Sequence, residues 1–84
     1  MRNYAGKTIW LIGASEGLGK EVAKLLDAEG AQLFLSARNT AALLELCRTL
    51  KNAVALPLDV TDPHSIKAAH DQIVQLDCMI YNAG

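Results

Sequence analysis

The sequence predicts an α/β protein of three layers, a parallel sheet in strand order 3-2-1-4 with helices on both faces. Three observations carry this. Four short apolar runs alternate with three stretches of helical periodicity, a glycine-rich turn follows the first run, and no linker, repeat or low-complexity tract interrupts the alternation. Strands alternating with helices of this length pair in parallel through right-handed crossovers, which place helices on the sheet faces. The 84 residues suffice for one domain, 1–84, and 51% of them are apolar, enough for a compact core.

Thr8-Ile9-Trp10-Leu11-Ile12 reads as a strand buried on both faces. From Leu18 the period changes: Leu18, Val22, Leu25 and Leu26 form one helical stripe, with Lys20, Glu21, Lys24 and Asp27 facing outward and Gly30 ending the helix. Leu33-Phe34-Leu35 is the second strand. Leu43, Leu46, Cys47 and Leu50 stripe a second helix that Asn39 or Thr40 can cap. Ala53-Val54-Ala55-Leu56 is the third strand, stopped by Pro57, which has no amide to donate. Asp62 stands at an N-cap with Pro63 at the first helical position, and Ile66, Ala69, Ile73 and Val74 stripe the third helix. Cys78-Met79-Ile80-Tyr81 is the fourth strand.

Composition narrows the function classes. The net charge is −1 and the basic residues are scattered, so no footprint for a nucleic-acid backbone is present. No signal-like start or long apolar run suggests a membrane, and the expectation is a cytoplasmic protein. Cys47 and Cys78, even with His64 and His70, match no metal-ligand spacing; two buried free thiols are expected, and no metal.

In strand order 3-2-1-4 the chain reverses direction across the sheet between strands 1 and 4, and such sheets bind ligands there, at the carboxyl ends of the strands. Gly13-Ala14-Ser15-Glu16-Gly17-Leu18-Gly19 lies at that point. Glycines in such a turn permit positive φ, keep Cβ atoms out of a ligand's path, and let a helix N-terminus present unpaired amides to an anion. The spacing is Gly-x-x-x-Gly-x-Gly, without the Gly-Lys-Ser/Thr ending of a P-loop, which argues against an ATPase. A glycine-rich strand-to-helix turn without a ligand is the plainer alternative.

With Asp59-Val60 after the third strand and Tyr81-Asn82-Ala83-Gly84 after the fourth, this chain resembles the short-chain dehydrogenase/reductase family over essentially its whole length. The family's TGxxxGxG motif appears as Ile12 to Gly19 and its NNAG motif as Tyr81 to Gly84. The resemblance implies a Rossmann-type, NAD(P)-binding domain. Gly13, Gly17 and Gly19 would cradle the pyrophosphate of a nicotinamide dinucleotide, with Glu16 and Leu18 in the same loop, and Ser15 would bond the adenosine ribose or its phosphate. Asp59 would accept from the adenine amino group and the Val60 amide would bond a ring nitrogen; the competing role for Asp59 is a turn or helix cap. Asn82, Ala83 and Gly84 would line the cofactor near the nicotinamide-side ribose. Ile12 in place of Thr and Tyr81 in place of Asn depart from the motifs, removing polar links that support the site.

An acidic residue at the end of the second strand would bond both ribose hydroxyls and select NAD. Here the stretch reads Ser36-Ala37-Arg38-Asn39, with no carboxylate and with a guanidinium fork suited to phosphate, which favours NADP(H). Glu16 argues the other way, since a carboxylate near the 2′-phosphate opposes its binding. The family's catalytic Tyr-x-x-x-Lys is absent: Tyr4 is followed at i+4 by Thr8, and Tyr81 has no i+4 residue.

The expectation is therefore the cofactor-binding part of an oxidoreductase acting on a small carbonyl or alcohol, truncated before its catalytic residues and inactive alone. The open edge of strand 4 suggests a homo-oligomer. A non-catalytic NADP(H)-binding or sensor module, and a folded fragment that binds nothing, stay open on the residues alone.

Overall fold

The computed structural model describes residues 4–14, 17–59, 61–73 and 75–81. The elements run β1 (Thr8–Ile12), α1 (Gly17–Ala28), β2 (Gln32–Ser36), α2 (Thr40–Arg48), β3 (Ala53–Ala55), α3 (Pro63–Asp71) and β4 (Cys78–Tyr81). The sheet has the expected order β3-β2-β1-β4, and all three pairings are parallel. In register, Trp10 stands beside Phe34 and Met79, and Ile12 beside Ser36 and Tyr81.

Side chains alternate across a strand, so β1 feeds two cores. Ile9 and Leu11 join Leu33, Leu35, Ala23, Leu26, Leu43 and Leu46 in the layer beneath α1 and α2. Trp10 and Ile12 join Leu56, Leu58, Ala69 and Ile73 on the α3 side. All four β1 side chains from Ile9 to Ile12 are buried, as expected for a central strand. The α3 side, with one helix where the other face has two, leaves Val54, Met79 and Tyr81 exposed.

The helix faces differ from the expected stripes in instructive ways. On α1 the residues that face the sheet are Gly19, Ala23, Leu26 and Asp27, with Val22 at the margin, whereas Leu18 and Leu25 are 71% and 66% exposed. Small side chains let the helix lie close to the strands, so Gly19 and Ala23 take the positions that size alone would give to leucine. Asp27 points inward, not outward: its carboxylate accepts from the Lys51 and Asn52 amides at 3.0–3.1 Å, tying α1 to the loop between α2 and β3. On α2, Leu43 and Leu46 are buried, with Cys47 and Leu50 packed at the edge. On α3, Ala69 is buried but Ile66 is 37% exposed, and Ile73 reaches the core from beyond the helix end. Val74 lies outside the described residues.

The caps follow the local chemistry. Asn39 caps α2 by accepting from the Ala42 amide, and Asp62 caps α3 by accepting from His64 with Pro63 in the first turn. At the end of α1, Gly30 (φ 89°) and Ala31 donate to the Asp27 and Leu26 carbonyls, the paired bonds of a Schellman turn. β3 ends one residue earlier than expected, at Ala55, although the Leu56 amide still donates to the Leu35 carbonyl.

The cysteines are free, but only Cys47 is partly buried; Cys78 is exposed on the edge strand β4. Burial pushes the Cys47 thiol above its ordinary value, which keeps it protonated and less nucleophilic. Iodoacetamide followed by mass spectrometry is therefore expected to label Cys78 well before Cys47. Equal rates would show that the α2 face opens readily.

Candidate functional site

The described residues expected to form the site gather at the carboxyl ends of the strands. β1 leads into the glycine turn, β2 into Arg38, and β3 into Asp59, so the three segments lie side by side along one edge of the sheet. Backbone bonds hold them there. The Gly13 and Ala14 amides both donate to the Ser36 carbonyl, at 2.7 and 3.2 Å, and the Leu58 amide donates to the Ala37 carbonyl at 3.4 Å.

Gly13 (φ 86°) and Gly17 (φ 57°) occupy the left-handed region that glycine adopts without strain. A Cβ placed on Gly17 would point into open space, so backbone conformation, not crowding within the chain, asks for glycine there. Gly19 does not share the positive φ expected of the turn; it is buried within the first turn of α1. The 12-residue helix α1 begins at this turn, and its N-terminus carries the partial positive charge that favours an anion. Leu18 is exposed beside it. Ile12, where the family has Thr, packs into the α3-side core, and the two amide bonds to Ser36 tie the turn to its neighbour.

Arg38, Thr40, Pro57, Leu58 and Asp59 line an open depression of about 400 Å³ between the ends of β2 and β3. Arg38 and Asp59 are both exposed, and Asn39 beside them is engaged as the α2 cap. Asp59 takes up the capping role: its Oδ1 accepts from the Thr61 amide at 2.9 Å and the Thr61 hydroxyl at 2.6 Å, and its carbonyl accepts from the Asp62 amide. Its own amide donates to Ser65 Oγ at 3.2 Å. Only Oδ1 is used, so among the described residues the second carboxylate oxygen keeps its lone pairs for a ligand donor.

The Thr61 hydroxyl and then the Thr61 amide hold the Asp59 carboxyl below the ordinary aspartate value against a smaller opposing desolvation, and the charge of Arg38 adds the least. A carboxyl lowered in this way stabilises the fold above the unfolded-state value, and the contribution fades as pH falls through the folded one. Thr61→Val is expected to raise the Asp59 titration toward the ordinary range, followed by carboxyl chemical shifts. An unchanged midpoint would remove the hydroxyl as its cause.

Ser15, Glu16, Val60, Asn82, Ala83 and Gly84 lie outside the described residues. Two residues of structural consequence to the site, Ser36 and Trp10, carry no site signal in the sequence beyond their strand and loop positions. Ser36 is fully buried, and its hydroxyl accepts from Trp10 Nε1 at 2.8 Å. A serine at the inner end of an otherwise apolar strand, with one tryptophan in the neighbouring strand, was the available signal.

Comparison with known proteins agrees with this arrangement. The chain is 35% identical to the ketoacyl reductase HetN of Nostoc sp., over all of this chain and 32% of that protein. Among solved structures it is similar to L-sorbose reductase from Gluconobacter frateurii, a complex with NADPH and L-sorbose, with a TM-score of 0.90 and 28% identity over 98% of this chain and 35% of that one. A short-chain dehydrogenase/reductase from Burkholderia phymatum in complex with NAD shares the fold, with a TM-score of 0.88 and 22% identity over 94% of this chain and 31% of that one. The chain thus spans about a third of the length of these proteins. With the short chain dehydrogenase family model matching residues 7–84, strand order and glycine turn included, the chain belongs to the short-chain dehydrogenase/reductase family.

Proposed function

We propose that residues 1–84 are the NADP(H)-binding part of an oxidoreductase that moves hydride to or from a carbonyl or alcohol. The observation that carries the cofactor choice is Arg38. It is exposed at the end of β2, lines the depression toward Asp59, and has no carboxylate in its own Ser36–Asn39 stretch. An arginine fork suits a 2′-phosphate, which a carboxylate in its place would repel.

The residues fit such a cofactor on local grounds. Gly13 and Gly17 adopt positive φ, Gly17 leaves its Cβ direction open, and α1 presents its N-terminus beside them. In this reading Gly13, Gly17 and Gly19 hold the pyrophosphate, with Leu18 and Glu16 in the same loop, and Ser15 bonds the adenosine ribose or its phosphate. Arg38 and Asn39 face the adenosine ribose, Asp59 and Val60 the adenine, and Asn82 to Gly84 the nicotinamide-side ribose. When bound, the nicotinamide would donate hydride to a carbonyl or, in its oxidised form, accept it from an alcohol, and this chain's residues would bind and orient the dinucleotide. The neighbour in complex with NADPH and L-sorbose supports a nicotinamide dinucleotide as cofactor and a carbonyl or alcohol as substrate.

Calorimetric titration of the chain with NADPH and with NADH tests the reading. Tighter binding of NADPH by about tenfold or more is expected from one charge-assisted contact. Equal affinities would overturn the NADP(H) assignment, and no binding of either would overturn cofactor binding.

A further inference from the structure

Ser36 is a junction in the site's floor. Its carbonyl uses both lone pairs on the Gly13 and Ala14 amides, and its hydroxyl accepts from Trp10 Nε1. One residue therefore ties the glycine turn to the end of β2 by its backbone, and β2 to the side chain of the middle strand by its hydroxyl. Both partners of the side-chain bond are dry: Ser36 is 0% exposed and Trp10 1%. His70, in the last turn of α3, meets the indole at a tilt of 45° with ring centroids 6.0 Å apart. That contact and the surrounding Ile12, Leu56, Leu58, Ala69 and Ile73 hold the ring in place.

The next two residues inherit that constraint. Ala37 is buried and its carbonyl accepts from Leu58. Arg38, immediately after it, is the first exposed residue of the segment. The backbone from which the Arg38 side chain departs is thus held from the β1 side by Ser36 and from the β3 side by Ala37.

We infer that Ser36, held by Trp10, is a positioning residue that aims Arg38 relative to the glycine turn and so sets the preference between NADPH and NADH. The inference rests on the proposed NADP(H) reading. A guanidinium fork binds phosphate by paired bonds of narrow geometry, so a small rotation of its backbone weakens the phosphate contact while leaving the pyrophosphate turn able to bind either cofactor.

The test is calorimetric affinity for both cofactors in the unmutated chain and in Ser36→Ala, Trp10→Phe and Ser36→Thr, with folding of each checked by circular dichroism. Ser36→Ala and Trp10→Phe break the same bond from opposite ends, and the double variant removes both polar partners together, sparing the interior an unpaired donor. NADPH affinity is expected to fall about five- to tenfold in each single variant with NADH affinity nearly unchanged, the effect of losing one well-aligned polar contact. Ser36→Thr, which keeps the hydroxyl, is expected to retain the preference. A double variant that regains thermal stability but not the NADPH preference supports positioning over a purely structural role. A preference that returns with stability overturns it, as does an unchanged preference in the folded single variants. If the unmutated chain itself binds both cofactors equally, the NADP(H) reading fails and takes this inference with it, an outcome distinct from failure in the variants alone.

Discussion

Arg38→Glu is expected to invert the cofactor preference, lowering NADPH affinity about 100-fold and raising NADH affinity a few-fold. The loss has two sources. A charge-assisted contact to an ionised phosphate contributes roughly 1.5–3 kcal/mol, or about 10- to 150-fold in affinity. The new carboxylate then repels the 2′-phosphate across a depression open to solvent, where screening keeps the repulsion modest. The gain for NADH comes from a carboxylate placed to accept from the ribose hydroxyls. Arg38→Ala separates the two effects, since it removes the phosphate contact without adding an acceptor for ribose. Raising the salt concentration is expected to compress the NADPH advantage of the unmutated chain and to leave NADH binding nearly constant. Asp59 supplies an independent check. Its carboxyl is held low partly by the Arg38 charge, so the same substitution should raise its titration midpoint whether or not cofactor is present. Unchanged NADPH and NADH affinities in Arg38→Glu would remove the residue from cofactor selection altogether.

Much of this site was legible because its chemistry is local. The glycine spacing, the absence of a carboxylate in the Ser36–Asn39 stretch and the Asp62-Pro63 cap each depend on a few consecutive residues, and the strands β1 and β4 emerge at their expected bounds. What escaped involved distance along the chain. The carboxylate of Asp27 is buried because amides 24 and 25 residues later need an acceptor, and helical periodicity holds no record of them. Trp10 and Ser36 are 26 residues apart and meet only once β1 and β2 are paired. Asp59 illustrates a third case. A turn cap and an adenine contact looked like rivals in sequence, but the cap occupies one carboxylate oxygen and leaves the other, so the geometry permits both.

The stripe on α1 failed for a different reason, and a pair of substitutions exposes it. Leu11→Ala is expected to destabilise the chain by about 2–5 kcal/mol, whereas Leu25→Ala should change stability by no more than about 0.5 kcal/mol. Leu11 is fully buried in the middle strand, between Leu35 and Ile80 in register, so its truncation leaves a cavity walled by sheet and helix. Native proteins have roughly 0.05–0.15 kcal/mol of stability per residue, about 4–13 kcal/mol over 84 residues, so the first change removes a large fraction of it. Leu25 is 66% exposed, and alanine is at least as good a helix former, so the second change loses little contact and no propensity. Periodicity placed Leu25 and Leu26 on the same face because a 100° step keeps adjacent residues within one broad apolar stripe. The sheet instead selects the narrower face whose small residues, Gly19 and Ala23, permit close approach, which carries Leu26 inward and turns Leu25 out. Urea unfolding of the two variants, with the slope of each transition compared to confirm an unchanged unfolded state, measures both values. Comparable losses at Leu11 and Leu25 would mean that α1 is rotated about its axis from the orientation described. That rotation would also move Gly19 out of its buried position and alter the helix N-terminus on which the proposed cofactor binding depends.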